Sequence, residues 1–338
     1  MSLEDRREKL RGLMDRLGLG ALLMRRPANF AWYTGGADNR VDHADPLGVA
    51  AILLTLEGEY VLTDNIEAPR MREEETPGFE VVEHSWYEDP AGTLRALTGD
   101  SPLGADFPAG DAPEVSAEIS PLRYVLDADA IERYRRLGAD AADAISSAVG
   151  SLDPRMSEHE AAANLAAACW RRGMFSSVLL AASGARMDRY RHPIPRGEAL
   201  GRRAMLVVCA ERGGLYANLT HIVDFEEEPD HETARRQEVC DTILRRMREE
   251  ATRPGRTLAD ALDDCRRFYA AEGFPDGWRD HHQGGMTGYA SREIIATPQT
   301  RQGIEVGQAF SWNPSLRGAK AEETFVLMEN GPELIAPV

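Results

Sequence analysis

The chain has 338 residues, 43% hydrophobic and 28% charged, enough for a large core and, on length, for two domains. A net charge of −17 argues against a nucleic-acid or anionic-membrane partner, and no apolar run approaches the ~20 residues that span a bilayer. Lysine occurs only at Lys9 and Lys320, so nearly all basic charge is arginine, and Cys169, Cys209, Cys240 and Cys265 lack paired spacing and read as reduced core thiols of a cytoplasmic protein.

Leu10, Leu13, Met14 and Leu17 recur at helical spacing, which predicts a helix over 3–18 that ends at Gly18 or Gly20. Its charged opening, Glu4-Asp5-Arg6-Arg7, does not read as a signal peptide. A buried strand is expected at 21–24, with further strands at 49–54, 59–62 and 79–83 and helices between them. Proline and glycine cluster over 101–113, which reads as loops and places the end of a first domain near residue 120. Leu126-Asp127-Ala128-Asp129 opens a second domain with a long alanine-rich helix to about Val149. Ser157, with Glu158 and Glu160 behind it, is an N-cap with acidic residues by the helix dipole, and that helix reaches roughly Arg172. Strands follow at 175–182, 204–209 and 216–225, then helices at 231–248 and 257–272, then mostly strand and turn. The class is α+β with mixed sheets.

The richest chemistry lies between Asp280 and Thr324. His281-His282-Gln283-Gly284-Gly285 sets two imidazoles before a glycine pair, which lets the backbone approach a ligand closely. Further on, Glu322 and Glu323 begin a β-like run, and strand alternation sends them to opposite faces, so only one can face a site. A histidine and a glutamate facing one pocket can bind a metal or run acid/base chemistry without one. Upstream, His192 sits between Arg191 and Pro193 after the turn Ser183-Gly184.

In this order the motifs resemble the creatinase, prolidase, aminopeptidase P and methionine aminopeptidase superfamily, which shares the pita-bread fold, and the resemblance covers most of the chain. His282 matches the family's metal-ligand histidine in a His-Gly-x-Gly turn, with Gln283 standing before the glycines; Glu322 matches the last ligand carboxylate, and His192 the substrate-side histidine. Asn29 to Gly35 resembles the Asn-x-x-Tyr-x-Thr-Gly segment of creatinase-type N-terminal domains, with Trp32 in place of the tyrosine. The resemblance implies a small α/β creatinase-like domain over 1–120 and a pita-bread catalytic domain over 121–338, the latter built of two related halves around a curved sheet.

It also implies five metal ligands for two divalent ions, and here the sequence departs. No aspartate stands at Val207 to Cys209, and Asn218 and Asn313 occupy two further carboxylate positions, which leaves His282 and Glu322. Neutral amides do not balance two hard cations, so the expectation is no metal. A metal-bound reading takes Mn, Co or Zn, with Glu211, Asp224 or Glu323 as substitute ligands. Without metal, His192 is the expected acid/base, His282 and Glu322 orient water or a substrate nitrogen, and Glu322 leaves a place for a cationic substrate group. Arg40, Asn218, His281, Arg292 and Asn313 are the expected substrate-binding residues, since arginine suits a carboxylate and the amides offer neutral hydrogen bonds. By the same resemblance the protein is a homodimer, with Arg40 lent to the partner's site, and its ligand is a small molecule. Three functions follow: a metal-independent hydrolase or lyase acting on a C–N bond of a small carboxylate-bearing molecule, an Xaa-Pro metallopeptidase with altered ligands, and an inactive binding homologue.

Overall fold

The computed structural model describes residues 2–225 and 230–336 and divides the chain into two units, Met1–Arg123 and Tyr124–Val338. No helix among the described residues is long and apolar enough to cross a membrane.

In the first unit, α1 (Leu3–Leu17) starts in a capping box between Ser2 and Asp5 and stops where Gly18 turns left-handed at φ 66°. Leu10, Leu13 and Met14 bury its apolar stripe. Five strands follow, β1 (Ala21–Met24), β2 (Ala51–Thr55), β3 (Glu59–Asp64), β4 (Glu80–His84) and β5 (Leu103–Ala105), in the sheet order β4-β3-β2-β1-β5. The stretch expected as loops over 101–113 thus contains a strand. β5 runs parallel to β1, and Gly104 makes the fit possible, since a Cβ there would lie 2.6 Å from Leu19 Cδ1. Local composition marks Pro102 and Pro108 but carries no sign of that long-range pairing.

In the second unit, α2 (Ala128–Val149) is capped by Asp127, and α3 (Glu158–Trp170) by a capping box of Ser157 and Glu160. These helices cover a three-stranded antiparallel sheet of β6 (Phe175–Ser183), β7 (Arg203–Arg212) and β8 (Leu215–Asp224). The helices α4 (His231–Arg246) and α5 (Leu258–Ala271) cover a second sheet. Its strands are β9 (Gly284–Thr287), β10 (Ile294–Ile295), β11 (Ala309–Trp312), β14 (Glu323–Met328) and β15 (Gly331–Leu334). Between β11 and β14 a small hairpin pairs β12 (Ser315–Leu316) with β13 (Ala319–Lys320). The two sheets meet where β8 lies against β14, and the hydroxyl of Thr324 accepts from Asn218 N at 2.8 Å and donates to Asn218 O at 3.1 Å.

Alternation decides which side chains reach the site. Met286, Phe310, Trp312, Phe325 and Leu327 point to α4 and α5 and form one core cluster with Val239, Ile243, Leu262 and Phe268. Thr287, Ser311, Thr324 and, just ahead of β14, Glu322 take the other face, that of Asn218 and Thr220. The glycine pair serves the sheet rather than a ligand. A Cβ on Gly284 would lie 2.1 Å from Ser311 O, and one on Gly285 2.2 Å from Ile294 O. Both glycines have positive φ, 101° and 151°.

Candidate active site

His192, His281 and His282 converge although 89 residues separate the first two. His192 Nε2 lies 2.9 Å from His281 Nε2, and the His192 and His282 ring centroids are 5.9 Å apart. His281 and His282 are stacked, with centroids 4.4 Å apart and planes at 30°. His281 is buried, whereas His192 is exposed and opens the cluster to solvent.

Each histidine has its own scaffold. Gln283 fixes the paired ones: its amide nitrogen donates to Trp278 O and His281 O, and its oxygen accepts from Tyr269 of α5 at 3.0 Å. The His192 loop is organised by Glu158, which is fully buried. Its carboxylate accepts from Ser183 N at 2.8 Å, Arg196 N at 2.9 Å and the Arg186 guanidinium. Arg191 then ties the loop to Leu316 O at 2.8 Å.

All three imidazoles are held neutral. Burial, followed by the charge of Lys320, pushes His281 down to about 3. Burial and then Arg292 push His282 down to about 4, and burial and Lys320 lower His192.

Glu322 lies at the centre of a clamp. Its Oε1 accepts from Arg292 Nη2 at 2.7 Å; its Oε2 accepts from Lys320 Nζ at 2.9 Å and Thr220 Oγ1 at 2.9 Å. Burial alone would raise this carboxyl, but the two cations outweigh it and hold it down at about 2. The place expected for a substrate cation is therefore filled by the protein. Glu323, on the opposite face, takes both oxygens to Arg248 Nη1 at 2.7 Å.

A metal pair does not fit here. Both oxygens of Glu322 are engaged by fixed positive groups, which repel a divalent ion and, with Thr220, take up most of the carboxylate's lone pairs. Cys209 pairs across β7–β8 with Asn218, and burial pushes its thiol up to about 12. The proposed substitutes are held elsewhere: Glu211 accepts from Gly214 N at 2.8 Å, Asp224 faces Arg203 at 3.4 Å, and Glu323 is bound by Arg248. The three histidines form the one metal-capable group found among the described residues, their ligand atoms within 4.8 Å of one another.

Of the expected site residues, His192, His281, His282, Arg292 and Glu322 come together. Asn218 lies beside them, its Nδ2 at 3.4 Å from Thr287 Oγ1 and its Oδ1 buried without a partner. Asn313 N bonds Gln283 O at 3.0 Å, and its Oδ1 is likewise unpartnered. Arg40 belongs to the first unit and forks onto Asp38, with Nε at 2.8 Å and Nη2 at 2.9 Å. Sequence reasoning missed Lys320, Thr220 and the organising role of Glu158. For Lys320 a signal existed: it is one of two lysines in the chain.

The sequence profile of the Creatinase/Prolidase N-terminal domain matches residues 6–109, and that of Metallopeptidase family M24 matches residues 132–329. No curated protein matches the sequence. Among solved structures, the chain is similar to the prolidase from Pyrococcus horikoshii OT3, with TM-score 0.83, 18% identity and coverage of 99% of this chain and 98% of that one. It is also similar to an Xaa-Pro dipeptidase from Bacillus anthracis (TM-score 0.81, 17% identity, 100% and 98% covered). An X-Pro aminopeptidase from Thermotoga maritima MSB8 gives TM-score 0.80 at 20% identity, with 98% and 97% covered. At such identities the likeness carries the fold, while the M24 profile spans more than half of the chain. The chain belongs to metallopeptidase family M24, a hydrolase family, with a creatinase-type N-terminal domain ahead of a pita-bread domain.

Proposed function

We propose that this M24 member hydrolyses a C–N bond in a small carboxylate-bearing substrate without a divalent metal. The observation that carries this reading is the clamp on Glu322, where Lys320 and Arg292 supply the positive charge that a metal pair would bring. Neutral His192, open to solvent, takes a proton from water as the oxygen adds to the carbonyl carbon. The tetrahedral intermediate then collapses, the C–N bond breaks, and the imidazolium returns the proton to the leaving nitrogen. His281, bonded to His192 through Nε2, fixes the orientation and tautomer of that ring. The unpartnered Oδ1 atoms of Asn218 and Asn313 are acceptors for substrate N–H groups. We carry a homodimer as part of the proposal, since two-fold pairs are the commonest soluble assembly. Light scattering that shows only the 37.3 kDa monomer removes that part.

A second reading, an Xaa-Pro metallopeptidase with altered ligands, draws on the likeness to proteins titled prolidase and Xaa-Pro dipeptidase and on the three-histidine cluster. A panel of Xaa-Pro dipeptides, N-acyl amino acids and guanidino acids, assayed with and without chelator, separates the two. The proposal expects turnover that chelator leaves intact and that His192→Ala abolishes. Turnover that needs added metal overturns it in favour of the second reading.

A further inference from the structure

Lysine is nearly absent from this chain. Of 39 basic residues, all but Lys9 and Lys320 are arginine, and Lys9 is exposed on α1. Lys320 instead lies 6% exposed at the centre of the site. Its ammonium has three N–H donors. Among the described residues Nζ has one hydrogen-bond partner, Glu322 Oε2 at 2.9 Å, so two donors of a buried cation stay unfilled. On the other side of the same carboxylate, Arg292 uses Nη2 on Glu322 and Nη1 on Ser291 O at 2.6 Å, while its buried Nε has no partner. Two cations face one carboxylate among neutral histidines, which leaves one positive charge in surplus. Unfilled buried donors and surplus positive charge together call for an anionic oxygen acceptor.

We propose that Lys320 and the Nε of Arg292 form a subsite for a substrate carboxylate, on the side of the site where His192 is exposed. The proposal deepens the hydrolase reading and rests on it for the substrate. It also accounts for a lysine where the chain otherwise uses arginine. A planar guanidinium at position 320 would spend its fork on Glu322, whereas a tetrahedral ammonium gives one proton to Glu322 and keeps two for the ligand.

The near-absence of lysine makes the test direct. Protein labelled with 13Cε,15Nζ-lysine gives two side-chain signals, assigned with Lys9→Met, a change at an exposed position. Sodium acetate is titrated against sodium chloride at matched ionic strength. The expected result is a saturating shift of the Lys320 signal with acetate, none with chloride, and a Lys9 signal that stays put in both. A Lys320 signal unmoved by acetate overturns the subsite, and so does an equal shift with chloride. Either result leaves the hydrolase reading standing, because that reading is tested by turnover in chelator.

Discussion

Lys320→Met removes one of the two cations on Glu322 while keeping much of the apolar stem. The magnitude follows from the carboxyl itself, which is held at about 2 against an ordinary 4.5 despite burial. At ~1.4 kcal/mol per pKa unit, the cations stabilise the ionised form by roughly 3 kcal/mol beyond what burial costs. Arg292 and Thr220 still hold Glu322 in that variant, so what is lost is one charge-assisted hydrogen bond. Lys320→Met should therefore destabilise by ~1.5–3 kcal/mol. Glu322→Gln should cost more, ~3–5 kcal/mol, since it strands Lys320 and Arg292 together without a counter-charge. The double variant should cost clearly less than the sum, with a coupling of ~1–3 kcal/mol. Urea unfolding at pH 7 of the four proteins measures the cycle. Additive single costs, each below ~1 kcal/mol, would refute the clamp.

Two further outcomes follow. Acid should destabilise the fold from below about pH 6.5, because His281 and His282, at about 3 and about 4 when folded, take up protons more readily once unfolded. Glu322, held at about 2, extends the loss below its ordinary 4.5; a urea midpoint that stays flat from pH 7 to about pH 4 contradicts the first, and one that stays flat from about pH 4 to about pH 2 contradicts the second. Gly285→Ala sets a Cβ 2.2 Å from Ile294 O at a φ of 151°, so it should cost several kcal/mol or prevent folding, and a variant with the parent's midpoint shows the close approach to be relaxed.

Much of the frame was legible because it rests on local chemistry. Ser157 and Asp127 cap helices through their own side chains, and the alternation of Glu322 and Glu323 follows from strand geometry alone. The ordered motifs sufficed for the family. The contacts that define the site are non-local: the imidazole of His192 meets His281 only because Glu158 and Arg191 fold the intervening loop back. The glycine pair was read as clearance for a ligand, yet its clearance is for Ser311 O and Ile294 O on the neighbouring strands, which no local pattern announces. Arg292 was read as a carboxylate-binding arginine, and its contacts with Glu322 and Ser291 are ones that no local pattern announces. Lys320 sits on a two-residue strand with no periodicity to flag it, and only its rarity in the composition marked it.

The central claim is that Lys320 and Arg292 do at Glu322 what divalent ions would otherwise do. Elemental analysis of protein purified without chelator, paired with turnover before and after dialysis against 1,10-phenanthroline, tests it most directly. The account predicts no stoichiometric zinc, manganese or cobalt and unchanged turnover. Stoichiometric metal, with activity lost on dialysis and restored by that metal, would contradict it.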